Sequence, residues 1–229
     1  MCYNSELSFY FAAAGILTVS YIYLFEPAFV KTGIQYILIF YTLMELLQGF
    51  QYYFINQCSN WINIWLTEFA YVLILAQPIM WNLFFYINSN SCDKNIFLPA
   101  IWISAIWIIV QILSRVLYDK NDNPQTKKNS VFASDKVCTK KKLNHLYWEW
   151  TSANCGDLNA NFLTYLLIWF IPGLISTKFR SLALILVVSS IIANIASIVA
   201  KETFTFTSLW CYVSIPIVIG TFVNMKFFQ

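Results

Sequence analysis

The sequence predicts an all-α integral membrane protein, one domain over residues 1–229 built as a bundle of about seven transmembrane helices. Three observations carry this. Hydrophobic residues make up 59% of the chain and charged residues only 11%, less than half the roughly 25% usual in soluble domains, so lipid rather than water is the natural solvent. Aromatics reach 19%, with 9 Trp and 14 Tyr, rings that favour the membrane–water boundary. Finally, mainly apolar runs close to the roughly 20 residues needed to cross a bilayer recur along the chain.

The first span is residues 7–25, closed by Glu26-Pro27. The second, 34–55, carries Glu45, Gln48 and Gln51. The third, 62–87, has Glu68 near its start and Gln77-Pro78 inside. The fourth, 96–118, ends near Arg115 and Asp119. The fifth, 161–176, is short and broken by Pro172-Gly173. The sixth is 181–200, and the seventh, 206–222, contains Pro216. Between the fourth and fifth lies the one long connection, 119–159. Its first part is polar, and seven of the chain's fourteen Lys and Arg fall between residues 120 and 142 of the connection: Lys120, Lys127, Lys128, Lys136, Lys140, Lys141 and Lys142. Its second part places Leu146, Tyr147, Trp148 and Trp150 after the basic run, the pattern of an interfacial segment at 140–152 lying along the headgroups.

No Lys or Arg precedes the first apolar run, so a cleaved signal is not expected, and Cys2 in place of Gly excludes N-myristoylation. Orientation is divided. In the short connections Lys31, Lys94, Lys178, Arg180 and Lys226 fall on one side and Lys201 on the other, which favours an external N-terminus. The basic 120–142 run lies on the N-terminal side and favours a cytoplasmic one, and the reading leans that way. In the opposite orientation Cys58, Cys138 and Cys155 share an oxidising side and can pair.

Ionisable groups inside a bilayer cost about 2.5–3.5 kcal/mol on insertion scales and are functional candidates by default. Glu45 is the strongest, being mid-helix. At about 100° per residue, Tyr41, Glu45, Gln48, Gly49 and Tyr52 share one face, with Gln51 at its edge, a polar stripe that must meet a partner helix or a water-filled cavity. In the third span Glu68, Tyr71, Leu75 and Asn82 fall near one face and Gln77 lies away from it. Pro78 frees a backbone carbonyl there. The sixth span adds Ser190, Asn194 and Ser197. The candidate ion- or ligand-binding set is therefore Glu45, Gln48, Gln51, Tyr52, Glu68, Tyr71, Gln77, Asn82 and Asn194. For Gln77 and Asn194 interhelical hydrogen bonding is the favoured role, for Glu45 function, and Glu68, nearer the boundary, is expected to be solvated. His145, Trp148, Glu149 and Trp150 form an interfacial set, with His145 and Glu149 four apart on one helical face. No catalytic residue, cofactor or metal is assigned: one histidine and six scattered cysteines supply no metal-ligand spacing.

Several seven-helix classes are excluded. Retinal proteins need a lysine in the last span, which has none. Zinc hydrolases of membranes need several histidines. The D-R-Y and N-P-x-x-Y signatures of G-protein-coupled receptors are absent, as are the two related triplets of seven-helix sugar transporters.

The run MELLQGFQYYFINQCSNWINIWLTEFAYVLILAQPIMWN resembles the core of an uncharacterised domain-of-unknown-function family, small multi-pass membrane proteins encoded mainly by giant DNA viruses. The matching positions are Glu45, Gln48, Gln51, Tyr52, Cys58, Leu66, Thr67, Tyr71, Gln77 and Pro78. They are joined by His145 and Trp148 in NHLYWEW and by Glu202, Trp210, Cys211 and Ser214 in the last span. The family often carries a histidine before Gln-Pro, where this chain has apolar residues. The resemblance implies a viral or virus-like origin and a host or virion membrane, and it brings no activity.

Three functions follow as expectations: conduction of an ion, proton or small solute through a polar core around Glu45; a receptor-like or structural role with a partner at the basic loop; and a lipid-modifying enzyme at the interface. The expected partners are the lipid bilayer, a small ion or polar solute and a second copy of the chain, and not nucleic acid.

Overall fold

A computed structural model describes residues 4–117, 137–142, 145–150, 162–199 and 206–227. Among them the chain is mostly helical. The helices are α1 (Ser5–Phe25), α2 (Pro27–Val30), α3 (Ile34–Gln51), α4 (Trp61–Asn88), α5 (Ser91–Leu117), α6 (Phe162–Ile175), α7 (Arg180–Val199) and α8 (Phe206–Phe227). A 3₁₀ turn, Tyr52–Phe54, follows α3, and strands β1 (Val137–Lys142) and β2 (His145–Trp150) lie between α5 and α6.

Local chemistry sets these boundaries. The Asn4 side chain accepts from the Leu7 amide at 2.8 Å and caps α1. Pro27 follows as the first residue of α2, where its missing N–H costs nothing. Gly33 then turns the chain into α3 at φ 74°, a left-handed conformation that glycine adopts freely. Asn60 caps α4 through its side chain at 2.9 Å from the Ile62 amide. α4 runs on through Pro78 to Asn88.

α3 is the inner helix. It packs on α1, α4 and α8, while α4 also meets α5 and α6, and α7 bridges α6 and α8. The aromatic core between them holds Trp81, Phe84, Phe85, Phe97, Trp169 and Phe179. Outward faces are apolar: Ile103, Ile106 and Ile109 on α5, and Ile185, Val188 and Ile192 on α7, are exposed. Faces this extensive suit lipid rather than water. Three helical stretches, Ser5–Phe25, Trp61–Asn88 and Ser91–Leu113, are long and apolar enough to cross a membrane. Three more apolar runs, Thr164–Ile175, Arg180–Ile192 and Ser214–Lys226, are shorter.

Three local departures from the sequence reading stand out. The second expected span ends at Gln51 rather than residue 55, because the chain tightens into the 3₁₀ turn. The fourth begins at Ser91 rather than 96, where the Asn90 side chain accepts from the Asp93 amide at 2.9 Å and starts the helix early. The segment expected at the interface takes the form of an antiparallel hairpin over its described residues, with Val137 opposite Trp150 and Lys142 opposite His145. Leu146 and Trp148 point inward and are buried, while Tyr147 and Glu149 are half-exposed, the two-residue alternation of a strand with one packed face.

Candidate functional site

The hairpin closes one end of the bundle. Its β1 strand lies against the start of α4 and the 52–60 connection. The Asn63 amide donates to the carbonyls of Phe54 at 2.7 Å and Thr139 at 3.0 Å, and its oxygen accepts from the Thr139 amide at 2.9 Å. The Thr67 and Thr139 hydroxyls meet at 2.7 Å. Asn56, at φ 63°, donates its amide to the Thr139 carbonyl at 3.0 Å and accepts from the Lys141 amide at 2.9 Å. Cys58 and Cys138 are joined by a disulfide, their Cα atoms 5.0 Å apart. β2 adds the Trp148 indole, which donates to Gln51 Oε1 at 2.9 Å, while Gln51 Nε2 donates to the Leu66 carbonyl at 3.0 Å. Each of these polar groups would be costly to bury unpaired, and each is matched.

The hairpin explains two positions that the sequence places otherwise. Glu68, expected to be solvated, is 1% exposed, because α4 begins under the hairpin rather than at an open boundary. Trp148, expected among headgroups, is buried against α3. Glu149 pairs with Lys140 at 2.6 Å across the two strands. The Tyr147 phenol beside it is pushed up from its ordinary pKa by partial burial and then by the Glu149 charge, against the pull of Lys140. The side chains of His145, Trp150 and Asn194 lie outside the described residues, as does the 118–136 part of the basic loop.

Deeper in the bundle the remaining candidates divide. Gln77 donates to Met44 Sδ at 3.2 Å and accepts from the Tyr165 hydroxyl, tying α4 to α3 and α6. Tyr41 accepts from the Trp81 indole at 2.8 Å. Asn82 donates to the Ile168 carbonyl at 3.2 Å and to Ser104 at 3.4 Å. Gln48 is fully buried, and Tyr52 and Tyr71 are half-buried. Gln77 and Asn82 therefore fasten helices to one another, whereas Glu45 is placed differently.

Glu45 lies between α3 and α1 and is 1% exposed. Among the described residues neither carboxyl oxygen has a hydrogen-bond partner within 3.5 Å, nor do the hydroxyls of Ser8 and Thr42, both buried in the same interface. Ser8 faces the carboxyl from α1, and Thr42 stands three residues before Glu45 on the same side of α3. Glycines let the two helices approach this closely. A Cβ on Gly49 would stand 2.9 Å from the Phe9 ring, and one on Gly15 would collide with the Thr42 hydroxyl. The α1–α3 interface thus buries one carboxyl and two hydroxyls, with Ser8 facing Glu45 and Thr42 packed at Gly15. Such a group can take up a proton or coordinate a small cation through oxygen donors. Among the described residues no group of three or more His, Cys, Asp and Glu stands together to hold a metal ion.

Sequence reasoning missed Ser8, Thr42, Asn56, Asn63 and Thr139. Thr42 was within reach, since its offset of three from Glu45 places it on the same face. Ser8 gave no signal beyond a small polar residue in an apolar run. Asn63 and Thr139 matter only because a segment some 75 residues away returns to α4.

Comparison with known proteins agrees with the resemblance carried by the 44–82 run. An uncharacterised protein of Acanthamoeba polyphaga mimivirus is 26% identical over 230 residues, covering 94% of this chain and 91% of its own. No solved structure matches the chain. Residues 6–226, which take in Glu45, the hairpin and all but the end residues of the helices described above, match the family of unknown function DUF5765, and the chain belongs to that family.

Proposed function

We propose that the chain is a multi-pass integral membrane protein of seven spans, α1 and α3 to α8, that passes a proton or small cation through a polar core centred on Glu45. The observation that carries this reading is the Glu45 carboxyl itself, mid-helix and 1% exposed, with the Ser8 hydroxyl facing it and, among the described residues, no hydrogen-bond partner within 3.5 Å of either oxygen. A structural carboxyl would be tied down as Gln77 is. An unpartnered one is expensive unless it exchanges a proton or holds a cation in its working cycle. The Ser8 and Thr42 hydroxyls buried in the same interface support a relay or oxygen coordination.

The span count is supported by lengths. α3 has 18 residues, α7 20 and α8 22, or about 27–33 Å at 1.5 Å per residue, close to the roughly 30 Å hydrocarbon core. α6 is shorter. The Cys58–Cys138 disulfide supports an orientation opposite to the one the loop charge suggests, since such bonds persist on the oxidising side of a membrane. With the hairpin and N-terminus outside, Lys31, Lys94, Lys178, Arg180 and Lys226 gather at the cytoplasmic end, as the positive-inside rule requires. Lys140 to Lys142 stand roughly 20 residues from the nearest span, at the limit of that rule, while Lys120, Lys127 and Lys128 follow α5 more closely and are the charges that count against this orientation.

The test is flux in liposomes holding wild-type protein or Glu45→Gln under an imposed pH gradient and voltage. Flux lost in a folded variant supports the reading, and flux unaltered by the substitution removes it. A second reading, a receptor-like or structural role in a host or virion membrane, draws on the hairpin. A disulfide-anchored platform at the outer end, carrying the basic loop, suits a protein partner. It predicts no flux, and recruitment that is lost when residues 127–136 are removed.

A further inference from the structure

A groove opens between α7 and α8 at the end opposite the hairpin, with a cavity volume of about 370 Å³, within the roughly 300–1,000 Å³ of small-molecule sites. Its lining is graded along the helix axes. At the mouth stand Lys178, Ser181 and Asn224, and deeper lie Leu182, Ile185 and Ile217. The two helices run antiparallel here, so Lys178 to Ile185 and Asn224 to Ile217 both descend seven residues, about 10 Å, from the polar mouth towards the middle of the bundle.

The mouth carries two cations, Lys178 and Arg180, against one buried carboxylate, Asp93. The Lys178 ammonium donates to the Asn88 carbonyl at 2.7 Å, which holds it at the rim, and Arg180 opens α7 beside it. The start of α7 already holds one anion, since the Asp93 carboxylate accepts from the Ser176 hydroxyl at 2.8 Å and from the Lys178 amide at 3.4 Å, so the site for a phosphate is the Lys178 ammonium at the rim. Below the mouth Gly220 leaves open space, as a Cβ there would meet nothing within 4 Å.

A cationic, hydroxyl- and amide-bearing rim above an apolar cleft that runs parallel to the helices has the polarity profile of one amphiphile. We propose that the groove holds an anionic phospholipid, its phosphate at Lys178 and one acyl chain along Leu182, Ile185 and Ile217. The site rests on the multi-pass reading and is independent of Glu45. It belongs to the leaflet on the Lys178 side, where a surface lysine favours anionic lipid by about fivefold.

The experiment offers detergent-purified full-length protein an equal mixture of phosphatidylglycerol and phosphatidylcholine and counts retained lipid by native mass spectrometry. Wild type is expected to retain phosphatidylglycerol selectively. Lys178→Gln is expected to lower that selectivity about fivefold while still holding lipid. Gly220→Leu, which fills the cleft without a clash, is expected to abolish retention of both lipids with helical circular dichroism unchanged. Equal retention of the two lipids by wild type, selectivity unmoved in Lys178→Gln, or retention unmoved in Gly220→Leu would each overturn the proposal. Protein that is soluble without detergent would instead remove the multi-pass reading beneath it, and liposome flux reports on Glu45 separately.

Discussion

Removing the Cys58–Cys138 disulfide tests the hairpin's place in the fold. The bond closes a sequence separation of 80 residues, and for a free coil of that length the chain-entropy relation gives about 4.5 kcal/mol at 25 °C. The reference state is shorter than that. α4 and α5 remain helices when the hairpin lifts off, so the chain outside them between the two cysteines is about 25 residues, and the same relation gives about 3.5 kcal/mol. The contacts at Asn63, Asn56 and Gln51 survive the substitution, so the hairpin should still dock but open more often. In Cys58→Ser/Cys138→Ser, hydrogen exchange at the Thr139 and Lys141 amides should accelerate by between two and three powers of ten. These amides donate to Asn63 and Asn56, so their exchange reports undocking directly. Protection within tenfold of wild type would refute the reasoning. So would recovery of Cys58 and Cys138 as free thiols from the native membrane.

Three further outcomes are expected. Gly49→Leu drives a side chain into the Phe9 ring and should cost about 1–3 kcal/mol of stability, read as a lowered thermal transition in detergent. Gly220→Leu, with open space around it, should leave the transition in place. Trp148→Phe leaves Gln51 Oε1 buried without its donor, a loss of about 1–3 kcal/mol. Exchange in β2 should quicken, and adding Gln51→Leu should recover part of the loss. Cys92 is a free, exposed thiol at the end away from the hairpin. With Cys2, Cys155 and Cys211 replaced by Ser, an impermeant maleimide should label it from the cytoplasmic face alone. Labelling from outside alone would reverse the orientation.

The helices were legible because each apolar run is a local signal of about 20 residues. Boundaries shifted where a single side chain decides them, as Asn90 does for α5. The hairpin was harder. Leu146, Trp148 and Trp150 alternate with His145, Tyr147 and Glu149, which is a strand pattern. Leu143 and Asn144 between the strands offer no Asn-Gly or Asp-Gly turn, however, and the run of Lys140 to Lys142 reads as a headgroup contact. The burial of Glu68 and Trp148 follows from that hairpin, so it could not be reached from the helices alone. Glu45 stood out for a physical reason: a carboxyl is costly at mid-membrane whatever surrounds it. Its surroundings were only half visible, since Thr42 shares its helix face but Ser8 comes from another helix, and helix pairing is not written in local periodicity.

The central claim is that the Glu45 carboxyl exchanges a proton or cation inside the bundle. Infrared difference spectroscopy of reconstituted wild type and Glu45→Gln, with the pH and then the cation stepped, tests it most directly. A carboxyl C=O band that responds to the step in wild type and is missing from the variant is the predicted result. Identical difference spectra for the two proteins, both folded, would contradict it.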